Sequence, residues 1–351
     1  MFKYMEIVNW VKQQISAGSL MLNSKLPTEK EMIAQFGVSR QSVRRAVQQL
    51  EAEGVLQTVQ GSGTYVINTP VSTSNKIALA LTNYEGHIFP SKIRGITSVL
   101  EKEGYIGNLF VMDNMISKEY QILQTILEEN YAGLLLDGTQ SYLPRTDEQL
   151  FSKVIRQIPC IMVDSLYPGF NLPAVMIDDV AGGYLATRHL IEHGHKNIAY
   201  IGRVDYTQGI NRYKGYIRAL REYSMPIDDK HVFFYIYNQK DMICDGSLGE
   251  CLLDTLKRCT AVFCFNDEMA RTIITFLHNH GLEVPDDVSL VGYDNMPTPG
   301  YPLRLTSINH PKERLGEKAA ENLLQLMRDP HFNANYLFKP ELYIGDSVKD
   351  I

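Results

Sequence analysis

Arg40, Gln41, Arg44 and Arg45 crowd one short stretch, GVSRQSVRRAVQQL. Guanidinium and carboxamide groups are the side chains that meet guanine and adenine edges in bidentate fashion. On one face of a helix they suit a polyanion read in its major groove. Ser39 stands directly before them, and a hydroxyl at a helix N-terminus suits a backbone phosphate. Further on, Gly61 and Gly63 in QGSG lack the Cβ that would keep a strand tip away from a sugar-phosphate backbone or a minor groove.

A second set belongs to a different chemistry. Asp137, Asp164, Asn266, Asp267 and Asp294 each close a short apolar run. Ligands of open α/β sheets bind outside the carboxyl ends of the strands, where these residues would lie. A single Asp there usually caps the next helix, but several at equivalent strand ends favour a pocket. Polyols are held by planar, multi-acceptor side chains and by Arg, with an aromatic face against the C–H side of the ring.

The elements needed to position the first set are legible between residues 4 and 66. Val8, Val11 and Ile15 predict an amphipathic helix over 4–17, stopped by Gly18. Thr28 and Glu31 form a capping box for a second helix whose buried face is Met32, Ile33 and Phe36, with Gly37 as its left-handed stop. Ser39 caps a third, with Val43, Ala46, Val47 and Leu50 inward and Arg40, Gln41, Arg44 and Gln48 outward. Two short helices joined by Gly-Val make a helix-turn-helix, and VLQTV and TYVI around QGSG make a β-wing. The G-x-G inside QGSGTY lies within a strand pair, so it is not a dinucleotide fingerprint.

From Ile77 onward, IALALT, NLFVMD, GLLLDG, CIMVD, NIAYIG, VFFYIY, AVFCFN and SLVGYD alternate with amphipathic helical stretches. Continuous apolar strands between helices predict parallel sheets covered on both faces, and their number requires two sheets. The expected organisation is an α+β winged helix-turn-helix head at 1–69, a polar linker at 70–76 and an α/β body at 77–351. The body splits into one subdomain of 77–177 with 309–334 and another of 178–308 with 335–351. Net charge is −6 over 351 residues. Residues 1–70 hold seven Lys/Arg against five Asp/Glu, about +2, which leaves about −8 for the body. The five cysteines include no C-x-x-C, which fits reduced thiols, and no apolar run reaches membrane-spanning length. A cytoplasmic protein with no membrane contact is the expectation.

The segment LPTEKEMIAQFGVSRQSVRRAVQQLEAEGVLQTVQGSGTYV resembles the N-terminal domain of GntR-type regulators. That implies a dimeric DNA-binding protein in which Arg40, Gln41, Arg44, Arg45 and the Gly61–Gly63 wing touch DNA. The segments VAGGYLATRHLIEHGHKNIAYIG, INRYKGYIRAL, FNDEMA and SLVGYDN resemble the effector domain of the lactose-repressor family, which has the periplasmic sugar-binding fold. The combination with IFPSKIRGI and TQGINRYKGYI is most similar to the regulators that answer to arabinose. By that resemblance Arg212, Asp294 and Asp164 correspond to effector-binding positions, with Asn266 as a fourth. His87, Phe89 and Gln208 are candidates for the walls, and Asp137 joins them from its strand end. The family's hinge helix is absent, a polar linker standing in its place. The implied function is a repressor that holds a palindromic operator as a homodimer and releases it when a pentose, L-arabinose first among them, occupies the body.

Other constellations point nowhere. His189, His193 and His195 have the look of a metal site, but Gly194 breaks the helix between them and no acidic or cysteine partner is near. No G-x-S-x-G elbow, phosphate loop or cofactor motif occurs, so neither catalytic residues nor cofactors are expected. MPTPGYPLRLTS reads as a loop beside the pocket. Two other functions use the same residues: a regulator answering to another sugar or a nucleoside, and a sugar-metabolising enzyme with a DNA-binding appendage.

Overall fold

A computed structural model describes residues 3–16, 19–67, 74–145, 148–297 and 303–351. Gly18, most of the 70–76 linker and the middle of the Pro-rich 296–307 segment therefore lie outside the described residues.

The head comprises α1 (Lys3–Ser16), α2 (Glu29–Phe36), α3 (Arg40–Ala52) and an antiparallel wing, β1 (Leu56–Val59) with β2 (Gly63–Val66). Thr28 accepts from the Glu31 amide while Glu31 accepts from the Thr28 amide, closing the capping box, and Gly37 adopts φ 60°. Ile7, Val11, Met32, Val43, Leu50 and Val66 are among the side chains of one separate apolar core.

The body begins with β3 (Lys76–Leu81), α4 (Phe89–Lys102), β4 (Ile106–Val111), α5 (Ile116–Glu128), β5 (Gly133–Leu136), α6 (Glu148–Gln157), β6 (Cys160–Val163) and β7 (Ala174–Ile177). It continues with α7 (Asp179–Glu192), β8 (Ile198–Arg203), α8 (Thr207–Glu222), β9 (Val232–Tyr235), α9 (Gly246–Lys257), β10 (Ala261–Cys264), α10 (Asp267–Asn279), β11 (Ser289–Asp294) and β12 (Thr306–Asn309). The chain closes with α11 (Lys312–Arg328), β13 (Tyr336–Phe338) and β14 (Glu341–Tyr343). Two six-stranded sheets result, ordered β13-β7-β6-β5-β3-β4 and β14-β12-β11-β10-β8-β9. Each is covered by apolar side chains on both faces, as parallel strands require.

One sequence expectation needs correction here, and one edge strand adds a detail to the parallel sheets expected. β13 pairs with β7 of the first sheet, so the last crossing between subdomains falls between Phe338 and Glu341 rather than at residue 335. Its neighbour β14 runs antiparallel to β12, so the second sheet is mixed. The chain crosses between the sheets three times: from β7 to α7, from β12 to α11, and from β13 to β14.

The helices that flank the cleft are seated unusually closely. A Cβ on Gly95 would lie 2.1 Å from the Glu313 carbonyl oxygen, and one on Gly316 would lie 2.2 Å from that of Lys92. In the other subdomain a Cβ on Gly183 would meet the Arg212 carbonyl oxygen at 2.2 Å, and one on Gly215 that of Val180 at 2.2 Å. Thus α4 meets α11, and α7 meets α8, backbone against backbone. Among the described residues no helix is long and apolar enough to cross a membrane.

Candidate functional site

On α3, Val43, Ala46 and Leu50 are buried while Arg40, Gln41, Arg44 and Arg45 are exposed. The Ser39 hydroxyl caps the helix by accepting from the Ser42 amide at 3.2 Å. Arg40 and Arg44, one turn apart, donate to the two oxygens of Glu29 on α2 at 2.8 and 2.9 Å. Those two hydrogen bonds hold the Glu29 carboxyl below its ordinary pKa. Arg45 turns aside, its guanidinium 4.4 Å from the centre of the Tyr4 ring on α1. The line of exposed donors is therefore Arg40–Gln41–Arg44, with Arg45 on its flank. At the wing, Gly61 and Gly63 have φ 79° and 133°, conformations L side chains rarely adopt. Gly63 has a second reason to lack a side chain: its Cβ would fall 2.5 Å from Cε of Lys25, whose stem crosses the strand there.

Between the two sheets lies a cavity of about 180 Å³. Its lining includes Phe89, Asp137, Asp164, Gln208, Arg212, Asn266 and Asp294, seven of the eight effector residues expected from the sequence. The eighth, His87, sits beside it with Nε2 3.3 Å from Asp294 Oδ2. Asp267, the remaining strand-end carboxylate, turns away from the cavity to accept from the Met296 amide at 2.7 Å and the Ser307 hydroxyl at 2.8 Å. Of these five strand-end residues, Asn266 acts as the helix cap that such positions often supply, accepting from the Met269 amide at 2.9 Å.

At one end of the cavity Arg212 leaves α8 and lies 3.5 Å from the centre of the Tyr293 ring. Its Nε donates to Asp179 at 2.8 Å and Nη1 to the Phe265 carbonyl at 2.6 Å. Nη2 reaches Asp294 Oδ1 only at 3.9 Å, and that oxygen, though buried, accepts no hydrogen bond. Asp294 itself has φ 101° and Asp164 φ 61°. Left-handed backbone at a non-glycine residue costs about 1–3 kcal/mol and collects at functional sites. In both cases the twist turns the strand-end carboxylate out of the sheet and into the cleft.

At the other end, Lys92 of α4 is buried with Nζ 2.8 Å from Asp164 Oδ2 and 3.7 Å from Asp137 Oδ2. His310 Nε2 lies 3.0 Å from both Asp164 oxygens. Tyr206 donates to Asp137 Oδ1 at 2.8 Å and Thr82 to Oδ2 at 3.2 Å. Burial alone would raise the Asp164 carboxyl, but His310 and Lys92 outweigh it and hold the carboxyl well below the usual carboxylate range. Asp137 stays raised by its burial despite the pull of Lys92. Burial works against the Lys92 ammonium too, yet Asp164 and Asp137 hold its pKa above the ordinary lysine value. Among further polar links across the cleft, Gln208 donates to the Asp164 carbonyl, Ser141 and Thr207 share a hydrogen bond of 2.8 Å, and Arg203 donates to Asn114 at 3.1 Å. Buried Gln208 Oε1 and Asn114 Nδ2 are left without partners.

Residues 3–66 match the family model of bacterial regulatory proteins of the gntR family, and residues 187–348 match the periplasmic binding protein-like domain. The chain is 32% identical to the arabinose metabolism transcriptional repressor of Geobacillus stearothermophilus, over 99% of this chain and 98% of that one. It is 30% identical to the repressor of the same description from Halalkalibacterium halodurans, over 97% and 96% of the two chains. Among solved structures, the transcription regulator CcpA of Lactococcus lactis superposes with a TM-score of 0.69 at 26% identity, covering 79% of this chain and all of that one. The chain belongs to the family of the arabinose metabolism transcriptional repressors. It is a DNA-binding transcriptional regulator and not an enzyme.

Several residues of this repressor's cleft carry no local signal. Lys92 reads as an ordinary helical lysine in FPSKIRG, although its i+3 spacing from Phe89 puts both on one face. His310 closes β12, a strand too short and polar to stand out. Tyr206 precedes α8 by one residue and becomes a cleft residue only because Asp137 of the other subdomain accepts its hydroxyl. The His189 and His193 rings pack at a tilt with centroids 4.1 Å apart, while His195 bonds to Thr260 at 2.9 Å, a packing arrangement at the end of α7.

One pH effect follows from Asp267. Burial, with Asp294 adding to it, pushes this carboxyl up to about 7 from 3.8. The folded form therefore holds the proton more tightly than the unfolded chain. The resulting stability is fully present below about pH 3.8 and is lost as pH rises towards 7. Asp267→Asn is expected to flatten the fall in melting temperature of the body between pH 5 and 7; an unchanged slope would show that another group carries it.

Proposed function

We propose that this protein is a sugar-responsive repressor that holds a palindromic operator as a homodimer and releases it when L-arabinose fills the cleft between its two subdomains. The observation that carries this reading is the uncommitted pair at the cleft end, Arg212 Nη2 and Asp294 Oδ1, 3.9 Å apart. A fixed donor beside a buried acceptor without a partner suits neighbouring hydroxyls, one accepting from the guanidinium and one donating to the carboxylate. Phe89 supplies an apolar face on the cleft wall, and the spare Gln208 Oε1 and Asn114 Nδ2 add an acceptor and a donor. A ligand seated there touches both subdomains, so its binding favours one relative orientation of them. It can change operator affinity only by its difference in affinity for the two orientations, about 1–3 kcal/mol in typical cases.

Thermal melting of the full chain against a panel of pentoses and hexoses tests the effector, because a ligand that binds only the folded form raises the melting temperature. L-Arabinose should give the largest rise and should lower operator affinity in a gel-shift titration. If every pentose leaves both unchanged, the effector assignment is lost.

At the DNA, Arg40, Gln41 and Arg44 face the major groove and Arg45 the flanking backbone, with Ser39 and the wing at Gly61 and Gly63 beside the sugar-phosphate chain. Arg44→Ala removes a groove contact, and operator binding should weaken by about 1–3 kcal/mol if the contact is to a base. Wild-type affinity in that variant would remove Arg44 from the groove.

A further inference from the structure

The inner end of the cleft is built around a cation. Lys92 Nζ lies 2.8 Å from Asp164, 3.7 Å from Asp137 and 5.2 Å from the centre of the Phe89 ring, and the residue lines the cavity while almost fully buried. An ammonium has three N–H donors and no acceptor. The short contact to Asp164 commits one donor, and the longer approach to Asp137 takes a second at most. Asp164, in turn, has His310 at 3.0 Å from both oxygens as well as Lys92, and Asp137 already accepts from Tyr206 and Thr82. The carboxylates at this end are thus engaged in holding Lys92 and the elements around it. What Lys92 itself has left to meet a ligand is a donor.

We infer that Lys92 is a specificity-determining residue of the effector cleft, donating a hydrogen bond to one oxygen of the bound sugar and excluding ligands that place a cationic group there. The inference rests on the sugar-effector reading and adds the chemistry of its inner end. Two ends of opposite character follow. The Arg212–Asp294 end offers a donor and an acceptor together, whereas at the other end Lys92 itself can meet only a group with a lone pair to give. Neutral sugars satisfy both ends, and an amino sugar with its ammonium at the inner end meets Lys92 as a like charge in a buried site.

The test is a ligand-by-residue double-mutant cycle on the full chain, read by titration calorimetry with L-arabinose and its 2-, 3- and 4-deoxy analogues. The variant is Lys92→Met combined with Asp137→Asn, which removes one buried charge of each sign and leaves Asp164 its His310 partner. In the wild type, one deoxy analogue should bind at least tenfold more weakly than L-arabinose. In the double variant that same analogue should bind as well as L-arabinose, because the missing oxygen no longer has a donor to satisfy. A structural role for Lys92 would weaken all four ligands alike and leave the tenfold ratio in place, which overturns the proposal. Equal wild-type affinity for all four ligands overturns it as well. A second measurement needs no variant: the 2-, 3- or 4-amino analogue at the critical position should bind the wild type at least 100-fold more weakly than L-arabinose, and equal binding refutes the proposal even if the double variant does not fold. A wild type that binds no sugar at all defeats the effector reading and this one with it, an outcome distinct from binding without coupling.

Discussion

Arg212→Ala is expected to give a protein that still shifts operator DNA but no longer releases it when L-arabinose is added. Two contributions set the size of the effect. Among the described residues the guanidinium is the charged donor that approaches Asp294 Oδ1, and a hydrogen bond to a charged group contributes about 1.5–3 kcal/mol. Its loss alone weakens sugar binding by a factor of about 10 to 150. Truncation also leaves Asp179 buried with its 2.8 Å partner gone, and breaking one half of a buried ion pair costs about 3–5 kcal/mol of stability. The variant should therefore melt at a lower temperature as well as bind sugar poorly. Arg212→Lys separates the two contributions: it keeps a cation near Asp179 but cannot serve Asp179, the Phe265 carbonyl and a ligand at once. Calorimetry decides the assignment. Sugar affinity at the wild-type level in Arg212→Ala would move the clamp elsewhere.

The second large effect concerns the number of heads on the DNA. Residues 1–70 enclose an apolar core of their own, from Ile7 to Val66, and carry the α3 donors and the wing. Alone, they should bind a single half-site. If the body pairs two chains, the second head meets its half-site at the effective concentration set by the linkers, and affinity for the full operator rises by about 10² to 10⁴. Binding by both forms should fall steeply with salt because each neutralised phosphate releases counterions, and the slope should be about twice as steep for the full chain. Equal affinity of head and full chain, or a full chain that runs as a monomer on operator DNA, would end the dimer argument.

Much of this architecture was legible in the sequence because the local signals agreed. The Thr28–Glu31 box, Gly37 and Ser39 mark helix ends by hydrogen-bonding geometry that four or five residues contain entirely. Each of the eight apolar runs overlaps a strand. The six inner strands are buried on both faces, which leaves no room for polar interruption, whereas β4 and β9 at the sheet edges keep exposed positions. The edge elements did not announce themselves. β13 and β14 are three residues each and largely exposed, so their composition resembles a loop, and the exchange of the chain between sheets at Phe338–Glu341 escapes any pattern count. The cleft divided in the same way. Strand-end carboxylates could be found from their position after an apolar run, but position did not say that Asp267 faces the Met296 amide while Asp294 faces the cavity. Lys92, Tyr206 and His310 gain their roles from partners far away in the chain, and no local spacing records such a partnership.

The backbone contacts at Gly95, Gly316, Gly183 and Gly215 have a consequence for genetics. The carbonyl that Gly316 accommodates belongs to Lys92, and the one that Gly183 accommodates belongs to Arg212. A methyl group at either glycine must push the helix carrying a clamp residue away from its neighbour, although it lies outside the sugar's reach. A selection for strains locked in repression should therefore recover alanine or serine at these glycines alongside changes in the cleft itself. Two such alleles, one in each subdomain, would mark the pair of helices whose seating decides whether the inducer is heard.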